Sequence, residues 1–238
     1  MATKLIENDM EKMKVVTNIN VSLANAIRRS VGEISVMAID EVDIYKNDSA
    51  LYDEIIAHRL GLVPLKNQKL KEGQTAEFKL HVKSKDGKKE VLSGDLGSEV
   101  VYPEMPIVLL ENGQELKVVV RAKSGKGSNH SKYSPGMIFY NSTPKIKISK
   151  DAENQSELAE IFPGAFEIDS SGKLNVKEIV TEDIDSADME SYKGIEISPT
   201  EEILFTIESW GQMKASEIFS ESCKALKVNL SEVSKALK

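Results

Sequence analysis

The chain has 238 residues, 40% of them hydrophobic, and sets 31 Lys and Arg against 38 Asp and Glu. It is long enough for a substantial core, and its net charge of −7 does not resemble the basic footprint of a protein that grips nucleic acid unaided. One cysteine excludes an intrachain disulfide and any cysteine-built zinc or iron–sulfur site, and no apolar run approaches the roughly 20 residues of a membrane span.

The N-terminus, "MATKLIENDMEKMK", has no long apolar core of the secretory kind, so an intracellular, cytoplasmic chain is expected. Met13 to Val21, "MKVVTNINV", reads as a first strand. A helix follows, "SLANAIRRSVGEI", Ser22 to Ile34. Leu23, Ile27, Val31 and Ile34 form one apolar stripe, spaced 4, 4 and 3. Arg28 and Arg29 fall outside the stripe, one on each flank of the opposite side. A helix that only fills a core has little use for this pair. "SVMAIDEVDIYKN" is apolar and β-rich and predicts a strand.

"SALYDEIIAHRLGLVPL" predicts a second helix. Ser49 is its candidate cap, with Leu51, Tyr52, Ile55, Ile56 and Leu60 on the apolar side, and Gly61 and Pro64 as the stop. His58 and Arg59 lie near its C-terminus, where positive charge suits the dipole. The chain then turns β-rich as far as about Ile148. In "AEFKLHVKS", Phe78, Leu80 and Val82 share one face and His81 falls on the polar one. Asp86-Gly87 and Asn112-Gly113 stand between strand-like runs and are strong hairpin signals. "KVVVRA" and "TPKIKIS" are further strands, with a loop, "SGKGSNHSKYSPG", between them.

From Asp151 to Ser198 the texture changes. It is acidic, with short β pieces, "AFEID" and "KLNVKEI", joined by "SSG". "EILFTIES" is a strand, and a helix from about Ser216 closes the chain. Phe219, Cys223, Leu226, Leu230, Val233 and Leu237 make a seam of the coiled-coil kind, spaced 4, 3, 4, 3 and 4. Cys223 inside this seam is a small hydrophobe rather than a reactive thiol. The element order predicts an α+β fold.

No phosphate-binding loop, nucleophile elbow or calcium loop occurs, and His58, His81 and His130 share no ligand spacing. The absence of a catalytic constellation points to a binding or assembly role. The alternative is a stand-alone enzyme whose site uses His130 and Lys132 in the glycine loop.

"NVSLANAIRRSVGEISVMAIDEVDIYKNDSALYDEIIAHRLGLVPL", Asn20 to Leu65, closely resembles the D-type family of archaeal RNA polymerase subunits, relatives of the third-largest eukaryotic polymerase subunit and of the N-terminal region of bacterial alpha. "LANAIRR" and "HRLGLVPL" carry the likeness most strongly. "GKGSNHSKYSP", Gly125 to Pro135, is similar to the family's G-x-G-x-x-H-x-K-[WY]-S-P loop. "FTIESWGQMKASEIF", Phe205 to Phe219, resembles the approach to its final helix.

The resemblance implies an alpha-type dimerisation domain, residues 1–45 and 199–238, interrupted by a β-rich insert domain, 46–150, and a small insert, 151–198. It implies a heterodimer with the smaller L-type polymerase subunit, in which Leu23, Ile27, Val31 and Ile34 and the seam Phe219, Cys223, Leu226, Leu230, Val233 and Leu237 bury against that partner and each other. It further implies that Arg28, Arg29 and Arg59 meet the second-largest subunit, that small N-type and P-type subunits join the assembly, and that DNA is met only through the whole complex. Many family members carry a ferredoxin-like insert with iron–sulfur clusters at the place of residues 151–198. This segment holds no cysteine, so no cofactor is expected.

Overall fold

The computed structural model describes residues 3–68, 70, 73–150, 152–181, 184, 187–189 and 191–237. In chain order the elements are β1 (Thr3–Asn8), β2 (Lys12–Thr17), α1 (Val21–Arg29), a 3-10 turn (Ser30–Glu33), β3 (Ser35–Asn47) and α2 (Asp53–Gly61). Then come β4 (Thr75–Lys83), β5 (Lys89–Leu92), a 3-10 turn (Ser93–Leu96), β6 (Pro106–Leu110), β7 (Glu115–Lys126), a 3-10 turn (Ser131–Tyr133) and β8 (Gly136–Ile148). The chain closes with α3 (Leu158–Ile161), β9 (Phe166–Ile168), β10 (Leu174–Val176), β11 (Ile195–Ser209) and α4 (Ala215–Ala236). The fold is α+β, as expected. It comprises two compact units, one of Met1–Asn8, Met13–Ala26 and Phe139–Thr206, the other of Asp9–Lys12, Ile27–Ile138 and Ile207–Lys238.

In the first unit, β1 and β2 pair antiparallel at the edge of a sheet ordered β1-β2-β11-β8. The two short β pieces of the small insert form an antiparallel hairpin, β9 with β10, Leu174 opposite Ile168. Their own core holds Leu158, Phe166, Leu174, Val180 and Met189, with Ile146 from β8. An acidic segment can fold here because enough apolar side chains converge to bury one another.

In the second unit, β7 is the centre of an antiparallel sheet ordered β3-β7-β4. Alternation works as the sequence predicts. Leu116, Val118, Val120 and Ala122 of β7 point inward with Leu80 and Val82 of β4, against Ile56 and Leu60 of α2 and Val91, Ile107 and Leu110 of β5 and β6. The outward residues of β7 from Glu115 to Lys123 are charged apart from Val119. Arg121 donates to Glu41 at 3.1 Å and to Asp43, while Glu115 accepts from Lys46 at 3.0 Å and pairs with His81 at 2.7 Å. His81 is therefore on the polar face, as expected.

Three local expectations are corrected. Asp86-Gly87 and Asn112-Gly113 do form turns, with Gly87 and Gly113 at φ near +79° and +80°, but neither closes a hairpin. β4 pairs with β7 and, nested inside, β5 pairs with β6, so the two turns are corners where the chain leaves one sheet for another. Ser49 does not cap α2. Its hydroxyl donates to Asn47 Oδ1 at 2.6 Å and accepts from Leu51 N at 3.3 Å, holding the chain in a turn until Asp53. With α2 starting late, Tyr52 lies before the helix and is exposed, and Ile55 is also exposed; Ile56 and Leu60 carry the buried side.

Candidate assembly surface

α4 is a six-turn helix whose first amide, Lys214 N, is met by Glu217 Oε2 at 3.3 Å. Its inward face is Ala215, Ile218 and Ser222, all fully buried, and it packs on the 3-10 turn Ser30–Glu33. This line runs one residue out of step with the seam read from the sequence. Phe219, Cys223 and Leu226 are consequently only half-buried on the flank, and Leu230, Val233 and Leu237 stand 61%, 57% and 83% exposed. Burial pushes the Cys223 thiol up from its usual range, so the thiolate is scarce there. Sequence reasoning missed the inward face because two of its three residues, Ala215 and Ser222, are small and one of them is polar. Ser222 Oγ is buried with no hydrogen-bond partner.

The helix read over Ser22 to Ile34 is α1 followed by a 3-10 turn. Asn20 starts it, its Oδ1 accepting from Leu23 N at 2.7 Å. Leu23 is exposed, Ile27 and Ile34 are buried, and Val31 is half-buried. Arg28 is half-buried and Arg29 exposed. Arg59 is partly committed within its own unit, Nη1 donating to the Ile107 carbonyl at 2.7 Å. That bond ties the C-terminal turn of α2 to β6.

The glycine loop carries a connected polar arrangement within the second unit. β3 carries a bulge between Ile39 and Glu41, which leaves Asp40 without a partner on β7. Its carboxylate accepts from Lys123 Nζ at 2.6 Å, Lys132 Nζ at 2.9 Å and Tyr133 Oη at 2.8 Å. The two lysines, Lys123 first, hold this carboxyl well below the usual range, while burial and then the carboxylate push the Tyr133 phenol up. Tyr133 lays its ring on Gly125, where a Cβ would come within 2.7 Å of ring carbons. His130 Nδ1 accepts from Lys132 N at 3.1 Å. Lys132 is only 14% exposed and its ammonium is held by the Asp40 carboxylate, so it does not stand open to a substrate. The expectation of a catalytic His130–Lys132 site is corrected on that ground.

The interior of residues 152–181 is apolar, and the one cysteine lies in α4, so the side chains present do not fit an iron–sulfur cluster. Among the described residues no helix is long and apolar enough to cross a membrane.

The family described as the RNA polymerase Rpb3/RpoA insert domain matches residues 40–143. The DNA-directed RNA polymerase subunit Rpo3 of Pyrococcus horikoshii is 35% identical over 89% of this chain and 88% of its own length. The subunit of the same name from Pyrococcus furiosus is 34% identical over 94% of this chain and 92% of its own. That from Archaeoglobus fulgidus is 30% identical over 98% and 96%.

Proposed function

The chain belongs to the family of DNA-directed RNA polymerase subunit Rpo3, and from that premise we propose that it is a non-catalytic assembly subunit of a multisubunit RNA polymerase. The observation that carries this reading is the distal half of α4. A 22-residue helix spends only its first two turns on its own unit and then presents Leu230 and Val233, with Leu237 at its C-cap, to solvent. Large apolar side chains repeated on one face of an exposed helix need a covering partner.

On this reading residues 1–45 and 199–238 act as the dimerisation domain and pair with an L-type subunit through the seam and the α1 stripe. Residues 46–150 and 151–198 are carried as inserts. Arg28 and Arg29, with what remains of Arg59, face the second-largest subunit, where guanidinium groups supply planar donors for carboxylates or carbonyls. Small subunits of the N and P kind join the platform, DNA is reached only through the complex, the insert is free of metal, and the assembly works in the cytoplasm.

Co-expression tests the pairing. The chain alone should self-associate or aggregate at micromolar concentration, and an L-type partner should convert it to a defined heterodimer. A monodisperse monomer indifferent to that partner would overturn the reading. Iron analysis of anaerobically purified protein tests the insert, and stoichiometric iron with sulfide would refute the metal-free assignment.

A further inference from the structure

The segment from Gly125 to Pro135, the end of β7 and the loop after it, grips its unit in two places. At one, Lys132 and Tyr133 close on Asp40, the residue that the β3 bulge frees from the ladder. At the other, Ser128 N donates to the Gly32 carbonyl at 2.9 Å and Lys126 Nζ reaches Glu33 Oε2 at 3.1 Å. Gly127 lies so near that a Cβ on it would sit 3.2 Å from the Gly32 Cα, so the bare backbone at 127 lets the two segments meet. Gly32 and Glu33 belong to the 3-10 turn that directly follows Arg28 and Arg29. A single 3-10 turn has poor hydrogen-bond geometry and little stiffness of its own. Its orientation is set by what holds it from outside, which is the glycine loop and α4.

We propose that Asp40 is a positioning residue for docking of the second-largest polymerase subunit: it holds the glycine loop, the loop holds the turn Ser30–Glu33, and the turn sets the direction in which Arg28 and Arg29 are presented. This rests on the assignment of those arginines to the large-subunit contact. The carboxylate itself touches no partner. The bulge aims it, and three donors from β7 and the loop converge on it.

The chain's one tryptophan reports on the loop. Trp210 N donates to the Pro135 carbonyl at 3.0 Å, and the residue lines a cavity of about 340 Å³ with Ser131, Lys132, Ser134, Leu62 and Tyr102. A loop released from Asp40 changes the surroundings of that indole.

The test is a two-stage pull-down on the heterodimer, first by a tagged L-type partner and then for the second-largest subunit, with Trp210 emission read on the same samples. The variants are Asp40→Asn, Asp40→Glu, Tyr133→Phe, and Arg28→Ala with Arg29→Ala. Asp40→Asn should pair with the L-type partner as wild type does, alter the emission, and lower recovery of the large subunit at least tenfold, about 1.4 kcal/mol. Tyr133→Phe removes one hydroxyl from the carboxylate and keeps the ring on Gly125, so it should fold normally and lower recovery less. Asp40→Glu should restore most of it. Should both Asp40→Asn and Tyr133→Phe recover the large subunit at wild-type level while the arginine variant loses it, the positioning role is refuted. Loss of the L-type partner by Asp40→Asn, with normal docking by Tyr133→Phe, would make the clasp a matter of folding alone and also refute it. Normal docking by the arginine variant would remove the premise, and the proposal with it, irrespective of Asp40.

Discussion

Asp40 Oδ1 accepts from Lys132 Nζ at 2.9 Å across 92 positions of sequence, and the same oxygen takes the Tyr133 hydroxyl at 2.8 Å. The Lys132 side chain is only 14% exposed, so much of what water would give its ammonium comes from that carboxylate instead. Asp40→Asn should therefore destabilise the chain by roughly 1.5–3 kcal/mol at neutral pH, the usual worth of a hydrogen bond to a charged group. The pH dependence follows from the direction of the shift. A carboxyl held low in the folded state stabilises fully above its unfolded pKa, about 3.9, and that contribution is lost as pH falls below it. Thermal melts of wild type and Asp40→Asn, each co-purified with its partner, should differ most at neutral pH and converge in strong acid. A difference independent of pH would mean that Asp40 acts by packing rather than by charge.

The two faces of α4 should respond oppositely to substitution. Ile218 is fully buried within its unit, so Ile218→Ala should cost about 2–5 kcal/mol of stability. Leu230 is 61% exposed, so Leu230→Asp should leave the helix and the β signal in circular dichroism intact while it abolishes pairing with an L-type partner. An uncompensated carboxylate in a desolvated contact costs several kcal/mol. Normal pairing by Leu230→Asp would move the interface elsewhere.

Ser222 offers a gain rather than a loss. Its hydroxyl is buried without a partner, and alanine is the better helix former. Ser222→Ala should be neutral or raise stability by up to about 1 kcal/mol in urea unfolding. A clear loss would show that the hydroxyl is bonded in solution.

The small insert should behave as a core of its own. Phe166 is almost completely buried among Leu158, Leu174 and Val180. Phe166→Ala should remove about 3–5 kcal/mol and expose amides of residues 152–181 to hydrogen exchange, while β3, β4 and β7 stay protected. Uniform loss of protection along the whole chain would show that the insert shares its cooperativity with the rest.

Local properties of this protein were legible in the sequence. The strand Ser35–Asn47, the inward face Phe78, Leu80 and Val82 on β4, and the outward His81 follow from alternation, which needs only neighbouring residues. The insert's two β pieces and the final helix came from the same kind of signal. The seam from Phe219 to Leu237 was legible as apolar spacing, because a helix repeats its faces wherever it lies.

Pairing and packing were decided only in three dimensions. Asp86-Gly87 and Asn112-Gly113 specify turns, but the choice of strands on either side depends on which core buries them, and here β4 goes to β7 while β5 goes to β6. The bulge at Asp40 has no sequence signature, since a bulge belongs to the register between two strands. Lys132 and Tyr133 read as loop residues until β3 brings a carboxylate to them. The inward face of α4 was hidden for the same reason. Apolar spacing marks which side of a helix avoids water, and only the tertiary structure decides whether that side meets its own chain or is left for another, as Ser222 inside and Leu230 outside make plain.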